Sequence, residues 1–579
     1  MPHGKSLLPP EAGPPAAGAP RPLAPWMVWS GGAAVTAVAF LSFLPALDNG
    51  FVNFDDADNF LNNPHYRGLG WPQLRWMFTT MLLGHYVPLT WMSLGLNYAL
   101  GGMDPRGYHL FNLLLHSANA ALFFLVARRL LAAAFARRED PDLCLGATFA
   151  ALAFGAHPLR VESVVWVTER RDLLCGLFFL ASTLAYLRGV RGGGPLRTRW
   201  WIVSVAVFVL AMLSKAAAMP LPAALVVLDV YPLRRVRSVG WGRLLVEKTP
   251  YFAVAGAGAV LAWLAQSSAE AVSTYHRSAA ARIGMTGYSL VFYPWKFLWP
   301  AALTPLVELP GRVDLASPRF LAPVVLAVAV TLGLLALRRR WPAGLAVWVY
   351  SGLMVLPVSG IVVHAGIQLA ADRYSYLSGL GLALLAGGGL SWIRARRRQL
   401  PAVASAGCII VAVLVIASWA AGSWRQSRIW RDSETLWRYA LAIDPQSAFA
   451  HFQLGAALSN TGQPDQAIAE IERAIALLPD QFPNDKAAFH AGLGLLLQQR
   501  GDVTGAEEHY RAALGFSRDN AIALNNLGVI ELRRGQREEA LGLFLQALRA
   551  APGYPGACVN ARRVAGALGI VPRELATCR

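Results

Sequence analysis

Residues 26–56 read WMVWSGGAAVTAVAFLSFLPALDNGFVNFDD, an apolar run that ends at Leu47 and is soon followed by two carboxylates, Asp55 and Asp56. A run of about 20 apolar residues can cross a bilayer as a helix, and this one is longer than the apolar region of a cleavable signal peptide. It therefore predicts an uncleaved first membrane span. Carboxylates beside a bilayer face water, a cavity or a partner, which makes both functional candidates; residues that only initiate turns in a solvated loop are the alternative.

The whole chain has the composition of a polytopic membrane protein. Of its 579 residues, 55% are hydrophobic and only 15% are charged, against about 25% charged in typical soluble domains. Ten further apolar blocks follow the first, at 108–127, 143–159, 172–187, 200–213, 216–232, 250–266, 320–337, 342–362, 374–393 and 401–421. The sequence predicts an all-α membrane bundle of about eleven helices. Two more stretches, 85–100 and 282–300, are predicted to be re-entrant or interfacial.

The positive charges predict the orientation of the bundle. The net charge is +18, but the arginines lie in short loops between apolar blocks instead of on one periodic surface, which argues against nucleic-acid binding. The positive-inside rule then places the amino terminus, with a disordered tail over 1–25, in the cytoplasm. The outer loop over 48–107 and the carboxyl-terminal part of the chain are predicted to lie on the other side of the membrane.

An internal repeat begins near residue 430, where the composition changes to that of a soluble helical protein. Gly455, Gly494 and Gly528 are 39 and 34 residues apart, and each is followed seven residues later by another glycine. This is the tetratricopeptide period, in which small residues let the two helices of a hairpin approach closely. We predict a membrane domain over 26–421, a linker and half repeat over 422–446, and repeats with a cap over 447–579.

Polar residues in two apolar regions are candidates for a substrate cavity. On 108–127 they are three or four residues apart, so they share one face of the predicted helix: His109, Asn112, His116 and Asn119. Interhelical hydrogen bonds that only hold the bundle together are the alternative for this stripe. The other region, 157–174, mixes both signs of charge where helices meet water: Arg160, Glu162, Glu169, Arg170, Arg171 and Asp172.

Further charged residues begin or end spans on the same predicted side. Lys215 lies between two spans, and Asp372, Arg373 and Tyr374 open another; His85 lies in the outer loop. Arginine grips a phosphate with paired donors and lysine supplies a point charge, while a nearby carboxylate suits general-base activation of a hydroxyl. The combination predicts transfer from a membrane-borne phosphate ester. The five cysteines have no metal-ligand spacing, and Cys558 and Cys578 are free to pair without any requirement that they do.

Several blocks in fixed order resemble the transmembrane and tetratricopeptide-repeat-containing (TMTC) family. They are FDDADNFLNNPHYRGL (54–69), HYVPLTWMSLGLNYALGGMDPRGYHLFNLLLHSANA (85–120), AHPLRVESVVWVTERRDLLCGLFFL (156–180), MLSKAAAMPLP (212–222) and ADRYSYL (371–377), followed by the repeats. The resemblance implies a GT-C glycosyltransferase fold and protein O-mannosyltransferase activity with a polyprenyl-phosphate sugar as donor. It also implies that Asp55 or Asp56 is the catalytic base. By position, the basic residues that hold the donor phosphate are then Arg160, Arg170, Arg171, Lys215 or Arg373.

The leading hypothesis is therefore an inverting glycosyltransferase of the bacterial inner membrane that transfers a sugar, mannose by resemblance, to Ser or Thr of extracytoplasmic proteins docked by the repeats. Arg and Lys can neutralise the leaving phosphate, so no cofactor or metal is required, although two adjacent aspartates can also hold a divalent ion. Two alternatives belong to other classes. A non-catalytic membrane scaffold would recruit partners through its repeats, and a transporter of lipid-linked substrates would be expected to have pseudo-symmetric halves, which the sequence lacks.

Overall fold

The computed structural model describes residues 23–190, 194–268, 277–361, 368–396 and 402–578, so nearly all of the tail predicted over 1–25 lies outside the described residues. Up to residue 427 the helices, in chain order, are α1 Pro25–Ser42, α2 Trp71–Thr79, α3 Pro88–Gly101, α4 Pro105–Ala134, α5 Pro141–Gly155, α6 Val161–Val165, α7 Arg170–Gly189, α8 Thr198–Ser214, α9 Leu221–Val230, α10 Arg235–Ser268, α11 Ala279–Leu298, α12 Pro318–Ala336, α13 Pro342–Val355, α14 Ser375–Ala395 and α15 Ala402–Ser427. Two short antiparallel strands, β1 Val307–Glu308 and β2 Gln368–Ala370, pair with each other.

The apolar helices support the predicted membrane bundle. Within the described residues, seven helices are long and apolar enough to span a membrane: Pro25–Ser42, Pro105–Ala134, Val167–Gly189, Arg235–Ser267, Pro318–Ala336, Asp372–Ala395 and Ala406–Arg431. An eighth candidate is the pair Pro141–Gly155 and Pro158–Val165, bent by 53°, and three shorter apolar helices are Thr198–Ser214, Ala216–Val230 and Pro342–Val358. Each of the eleven predicted blocks coincides with one of these. The all-α membrane class is confirmed, while the count of eleven spans stays a prediction.

Proline and glycine explain two features of the bundle that position the candidate site. His157, which precedes Pro158, has extended backbone angles, as residues before proline tend to, and the chain bends there. Gly146 of α5 and Gly387 of α14 face each other so closely that a Cβ on either would meet the backbone oxygen of the other. Small residues allow membrane helices to approach in this way. The pairing sets α14 against α5, with Arg373 just before the start of α14.

Eight further helices form the repeat part of the chain: α16 Ser433–Ile443, α17 Ala448–Asn460, α18 Pro464–Leu477, α19 Pro483–Arg500, α20 Val503–Phe516, α21 Ala521–Arg533, α22 Arg537–Ala550 and α23 Pro555–Leu568. They give three hairpins, preceded by a half repeat at α16. Gly455, Gly494 and Gly528 lie where a Cβ would collide with the second helix of each hairpin. Gly462, Gly501 and Gly535 have φ of +78°, +92° and +87°, which glycine adopts without strain. The repeats predicted from these glycines are confirmed.

The repeats lie at the same end of the bundle as the loop that follows α1. The backbone N–H of Gly50 in this loop donates to the carbonyl of Arg431, just before α16, at 2.9 Å. In the cap that follows the last hairpin, Cys558 of α23 and Cys578 form a disulfide with Cα atoms 5.6 Å apart.

Candidate active site

Charged side chains from four distant stretches meet where several membrane helices begin. Glu162 comes from α6, Arg171 and Asp172 from the first turn of α7 with Glu169 just before it, Lys215 from the turn between α8 and α9, and Arg373 from the turn before α14. We call these six residues the Glu169 cluster. It brings together three carboxylates and three cationic side chains, all of which the sequence analysis predicted to belong to the site.

Glu169 is the centre of this cluster. Its side chain is fully buried and contacts three cations: Arg171 Nη2 at 2.7 Å, Lys215 Nζ at 2.6 Å and Arg373 Nε at 3.4 Å. Lys215 Nζ also contacts Asp172 Oδ1 at 2.7 Å. A buried carboxylate with this many donors holds the cations in fixed positions.

Arg373 is held almost completely by the protein. Its backbone N–H donates to Glu162 Oε2 at 2.7 Å, its Nη1 pairs with Glu162 Oε1, and its Nη2 donates to Gln368 Oε1 at 2.6 Å. Tyr374 donates to the same oxygen of Gln368 at 3.3 Å. Asp372 is buried beside them, and the nearby charges that act on it include those of Glu162, Lys296 and Arg373.

Two cations of the cluster keep donors that the described protein does not use. Arg171 binds Glu169 through Nε and Nη2, which leaves Nη1 without a hydrogen bond in the described ranges. The ammonium group of Lys215 has three N–H groups. Two of them donate to Glu169 and Asp172, which leaves the third unused. The side chains of Arg171 and Lys215 are 10% and 13% exposed, so neither is sealed from solvent. Glu169 binds the two cations through its two carboxylate oxygens, Arg171 through Oε1 and Lys215 through Oε2.

Asp55 and Asp56 differ in what binds them. Asp56 is buried, and both of its oxygens accept hydrogen bonds, from Thr168 Oγ1 at 2.6 Å and from the Val52 N–H at 3.0 Å. Burial raises the pKa of Asp56 to about 7 in spite of these donors. These two hydrogen bonds tie Asp56 to Thr168 and to the backbone of its own loop.

Asp55 is half-buried, and among the described residues its carboxylate accepts no hydrogen bond. Burial raises the pKa of Asp55, and the nearby charges of Arg171 and Arg373 oppose this rise. A carboxylate with a raised pKa and no protein donor is available to take a proton. Asp55 thus lies near the Glu169 cluster, and neither oxygen of its carboxylate accepts a hydrogen bond from the described residues.

His85 lies near Arg171, as Asp55 does. It is half-buried, and burial together with the charges of Arg171 and Lys215 holds the pKa of its imidazole well below the usual range. His85 is therefore neutral at physiological pH. We call Asp55, His85 and the exposed tips of Arg171 and Lys215 the Asp55 recess.

The polar stripe on α4 holds helices together. His116 Nδ1 contacts the Tyr376 hydroxyl and its Nε2 the Gly155 carbonyl, both at 3.0 Å. Asn112 Nδ2 donates to the Val164 carbonyl at 3.1 Å, while His109 is fully buried. The hydrogen bonds of Asn112 and His116 are interhelical contacts of the kind that the alternative predicts, while a part for the stripe in a substrate cavity stays a prediction.

Arg160 and Arg170 also lie outside the Glu169 cluster. Arg160 is fully buried, donates to the Ser375 carbonyl at 2.7 Å and packs over the ring of Phe154. The guanidinium of Arg170 is bound by neutral oxygens, among them Asn112 Oδ1 at 2.8 Å and the Tyr108 carbonyl at 2.7 Å. Arg160 and Arg170 join helices, although Arg160 Nε and Nη2 are buried without a hydrogen-bond partner among the described residues. Of the five basic residues predicted to hold phosphate, Arg171 is the one that combines an unused donor with a position near the charge of Asp55.

An apolar cavity of about 710 Å³ lies between α4, α7, α9, α13 and α14. Its lining begins with Phe179 on α7, Leu221 on α9 and Leu380 on α14. Each of these residues follows a member of the Glu169 cluster by six or seven positions in the chain. On α7 the seven positions from Asp172 to Phe179 correspond to about 10 Å along the helix. The helices that carry the cluster at one end therefore line the cavity further along.

Comparisons with known proteins agree with both parts of the chain. Tetratricopeptide repeat families match residues 436–469 and 491–555. Protein O-mannosyl-transferase TMTC4 of Homo sapiens is 26% identical over 494 residues, which cover 75% of this chain and 64% of that protein. Protein O-mannosyl-transferase Tmtc2 of Drosophila melanogaster is 36% identical over 184 residues, which cover 30% of this chain and 18% of that protein.

The chain is similar in sequence to these TMTC proteins. It spans less than two thirds of the length of these relatives. Among solved structures, ArnT from Cupriavidus metallidurans bound to undecaprenyl phosphate covers 81% of this chain and 80% of its own, at 17% identity and a TM-score of 0.35, which is too low to establish a shared fold.

Sequence reasoning missed several residues near Asp55 and Arg373. Thr168, which holds Asp56, lies in the quoted 156–180 block, but no pattern in the sequence predicts that it contacts a residue of the outer loop. Gln368 and Glu308 pair across the two short strands, and no pattern in the sequence predicts a two-residue strand. Asn53 and Trp437 are 384 residues apart and joined by a hydrogen bond, a contact for which one sequence carries no signal.

Proposed function

We propose that this protein is a membrane glycosyltransferase that transfers a sugar, mannose, from a polyprenyl-phosphate donor to a Ser or Thr hydroxyl of a protein outside the cytoplasm. Asp55 takes the hydroxyl proton while the hydroxyl oxygen attacks the anomeric carbon of the sugar. The bond between that carbon and the phosphate oxygen breaks, and polyprenyl phosphate leaves with the electron pair. Arg171 Nη1 and the third N–H of Lys215 bind the leaving phosphate.

The Asp55 recess is the observation that carries this proposal. A general base and two cations with unused donors lie together at one end of the bundle, and the cations are fixed by a buried acid, Glu169. Preorganised donors of this kind stabilise charge as it develops in a transition state. The relatives named protein O-mannosyl-transferases support the choice of reaction, of mannose and of a protein acceptor.

The apolar cavity supports a lipid-linked donor over a nucleotide sugar. A polyprenyl chain has no polar groups, and the cavity is lined mostly by Leu, Val, Phe and Ala side chains. With the phosphate at Arg171 and Lys215, the first isoprene units would run along α7, α9 and α14 into this cavity.

Two observations support a location of the recess outside the cytoplasm. The Cys558–Cys578 disulfide suits an oxidising compartment, and the repeat part of the chain, whose cap contains this disulfide, contacts the loop of Asp55. The arginine-rich loops lie at the other ends of the spans, as the positive-inside rule requires for cytoplasmic loops.

The test is transfer by the full chain reconstituted in lipid vesicles. Radiolabelled polyprenyl-phosphate mannose and, separately, radiolabelled nucleotide mannose are supplied with extracytoplasmic host proteins, and protein-bound label is released by alkaline β-elimination. We expect label only from the lipid donor and in an alkali-labile, O-linked form. Consumption of neither donor, with repeats that still bind a host protein, would support the scaffold instead. Passage of intact lipid-linked sugar across the vesicle would support the transporter.

A further inference from the structure

Asn53, two residues before Asp55, is bound entirely by the first helices of the repeats. Its backbone N–H donates to Ser433 Oγ at 2.9 Å, and its carbonyl accepts from Gln453 Nε2 at 3.2 Å. Its side-chain Nδ2 donates to the Gln453 carbonyl at 2.9 Å, and its Oδ1 accepts from Trp437 Nε1 at 2.7 Å. Every polar group of Asn53 thus contacts α16 or α17 and none contacts the membrane helices.

Phe54, the next residue, lies between the repeats and the membrane domain. Its ring stacks on Trp166 with centroids 4.4 Å apart and an interplanar angle of 13°. On the other side it meets Trp437 edge-on at 5.4 Å and Phe449 at 5.7 Å. The guanidinium of Arg373 lies 5.4 Å from the Trp166 ring, so the stack extends from the repeats to the Glu169 cluster.

The chain is held on both sides of Asp55 by different parts of the molecule. Asn53 is bound by the repeats, whereas Asp56 is bound by Thr168, just before α7. Asp55 lies between these two attachments with its own side chain unbound. Its position relative to Arg171 therefore depends on how the repeats sit on the membrane domain.

A second attachment joins the repeats to Arg373. Glu308 on β1 accepts hydrogen bonds from Ser447 Oγ at 2.5 Å and from the Phe449 N–H at 2.7 Å, at the start of α17. Glu308 pairs on the sheet with Gln368, whose side chain binds Arg373. The first repeat helices are thus linked both to the loop of the base and to the cluster.

We propose that α16 and α17 are a structural part of the active site, with Trp437 as the positioning residue that sets Asp55 through Asn53. This inference rests on the proposed function. It goes beyond acceptor docking, because docking predicts that damage to the repeats raises the acceptor KM, whereas positioning predicts that it lowers kcat. A displacement of about 1 Å of a catalytic group can cost about 100-fold in rate.

The experiment compares Trp437→Phe, Asn53→Ala and the double variant in the reconstituted transfer assay. Trp437→Phe keeps an aromatic ring beside Phe54 and removes the N–H that binds Asn53 Oδ1. We expect each single variant to lower kcat about 10-fold with the acceptor and donor KM unchanged. The double variant should lose no more than the worse single one, because both remove the same contact.

The matched control is Tyr510→Phe. It also removes one hydrogen bond of a buried aromatic residue, the bond from the Tyr510 hydroxyl to Gln498 Oε1 at 2.8 Å, but in a later hairpin that is remote from Asn53 in the chain. We expect its kcat to equal that of the wild type. A fall in kcat equal to that of Trp437→Phe would mean general damage to the repeats and would overturn the proposal.

Amide hydrogen exchange of peptides that cover 48–62 separates failure of this inference from failure of the proposed function. We expect faster exchange there in Trp437→Phe and Asn53→Ala but not in Tyr510→Phe. If the wild type transfers sugar and the two variants change only KM, or leave exchange unchanged, the positioning role is wrong and the glycosyltransferase stands. If the wild type transfers no sugar from either donor, the proposed function fails and this inference falls with it, even where the exchange rates change as expected.

Discussion

Two ion clusters lie at opposite ends of α9 and differ in whether solvent reaches their cations. Lys215 of the Glu169 cluster precedes this helix, and Asp229 lies near its end. Around Asp229 we define a second cluster, the Asp229 cluster: Tyr186, Asp229, Arg235, Glu247 and Lys248. Asp229 contacts Arg235 Nη1 at 3.1 Å and Lys248 Nζ at 2.6 Å, and the side chains of both cations are fully buried.

The Asp229 cluster is closed. The Tyr186 hydroxyl donates to Asp229 at 2.6 Å and accepts from Lys248 Nζ at 2.8 Å, and Arg235 also binds Glu247 at 3.0 Å. The Glu169 cluster instead includes two partly exposed cations, Arg171 and Lys215, and lies near Asp55, whose carboxylate accepts no hydrogen bond among the described residues. Lys248 Nζ, like Lys215 Nζ, uses two of its three N–H groups, but Lys248 is fully buried. Buried charge alone therefore does not indicate a site, and what distinguishes the two clusters is the access that solvent has to their cations.

Breaking the closed cluster should cost stability and leave chemistry intact. Asp229→Asn removes the acid that Arg235 and Lys248 share, and loss of one partner of a buried ion pair costs about 3–5 kcal/mol. Denaturant unfolding in detergent should show this loss. The transfer rate per folded molecule should match that of the wild type. Wild-type stability with lost transfer would mean that the Asp229 cluster, too, serves the reaction.

Arg171→Lys tests the free donors of the other cluster. A lysine can keep the contact with Glu169, but it lacks the planar second edge that leaves Nη1 available for phosphate. We expect the KM for the lipid donor to rise about tenfold, equivalent to about 1.4 kcal/mol, with unfolding unchanged. Arg235→Lys in the Asp229 cluster is the matched control and should leave the donor KM unchanged. An equal KM in both variants would remove Arg171 from the phosphate site.

The pH dependence of transfer should report the environment of Asp55. Only the ionised carboxylate can accept a proton, and its pKa is raised by burial, so kcat/KM should fall as the pH drops through a value above the ordinary pKa of an aspartate, about 3.9. Arg171→Gln removes a charge that lowers this pKa and should move the acid limb to higher pH. A limb near pH 4 that Arg171→Gln does not move would contradict the assignment.

Particular residues show how far the sequence alone could lead. The glycines of the repeats predicted their hairpins because a collision and a positive φ are local requirements, which spacing reveals. Four of the six residues of the Glu169 cluster come from the 157–174 stretch, which the sequence analysis selected for its mixed charges. It could not separate Arg170 from Arg171, because successive residues in a helix point about 100° apart and the partners of each lie on other helices. Arg170 turns to Asn112 and Arg171 to Glu169.

The same limit applies to the two aspartates. Adjacent positions in a loop differ only through what each side chain meets, and Asp56 meets Thr168, 112 residues away. The hydrogen bond between Trp437 and Asn53 joins residues that are still further apart in the chain. Contacts of this length depend on how whole helices pack, which one sequence does not record.

The most direct test of the central claim is the transfer rate of Asp55→Asn beside that of Asp56→Asn in the reconstituted assay, with unfolding measured for both. Loss of a general base costs about 10²–10⁴-fold, so Asp55→Asn should lower kcat to that extent while stability is retained. Asp56→Asn can still accept one of its two hydrogen bonds, so it should lose some stability and far less activity. Full activity in Asp55→Asn, or loss of transfer confined to Asp56→Asn, would contradict this account.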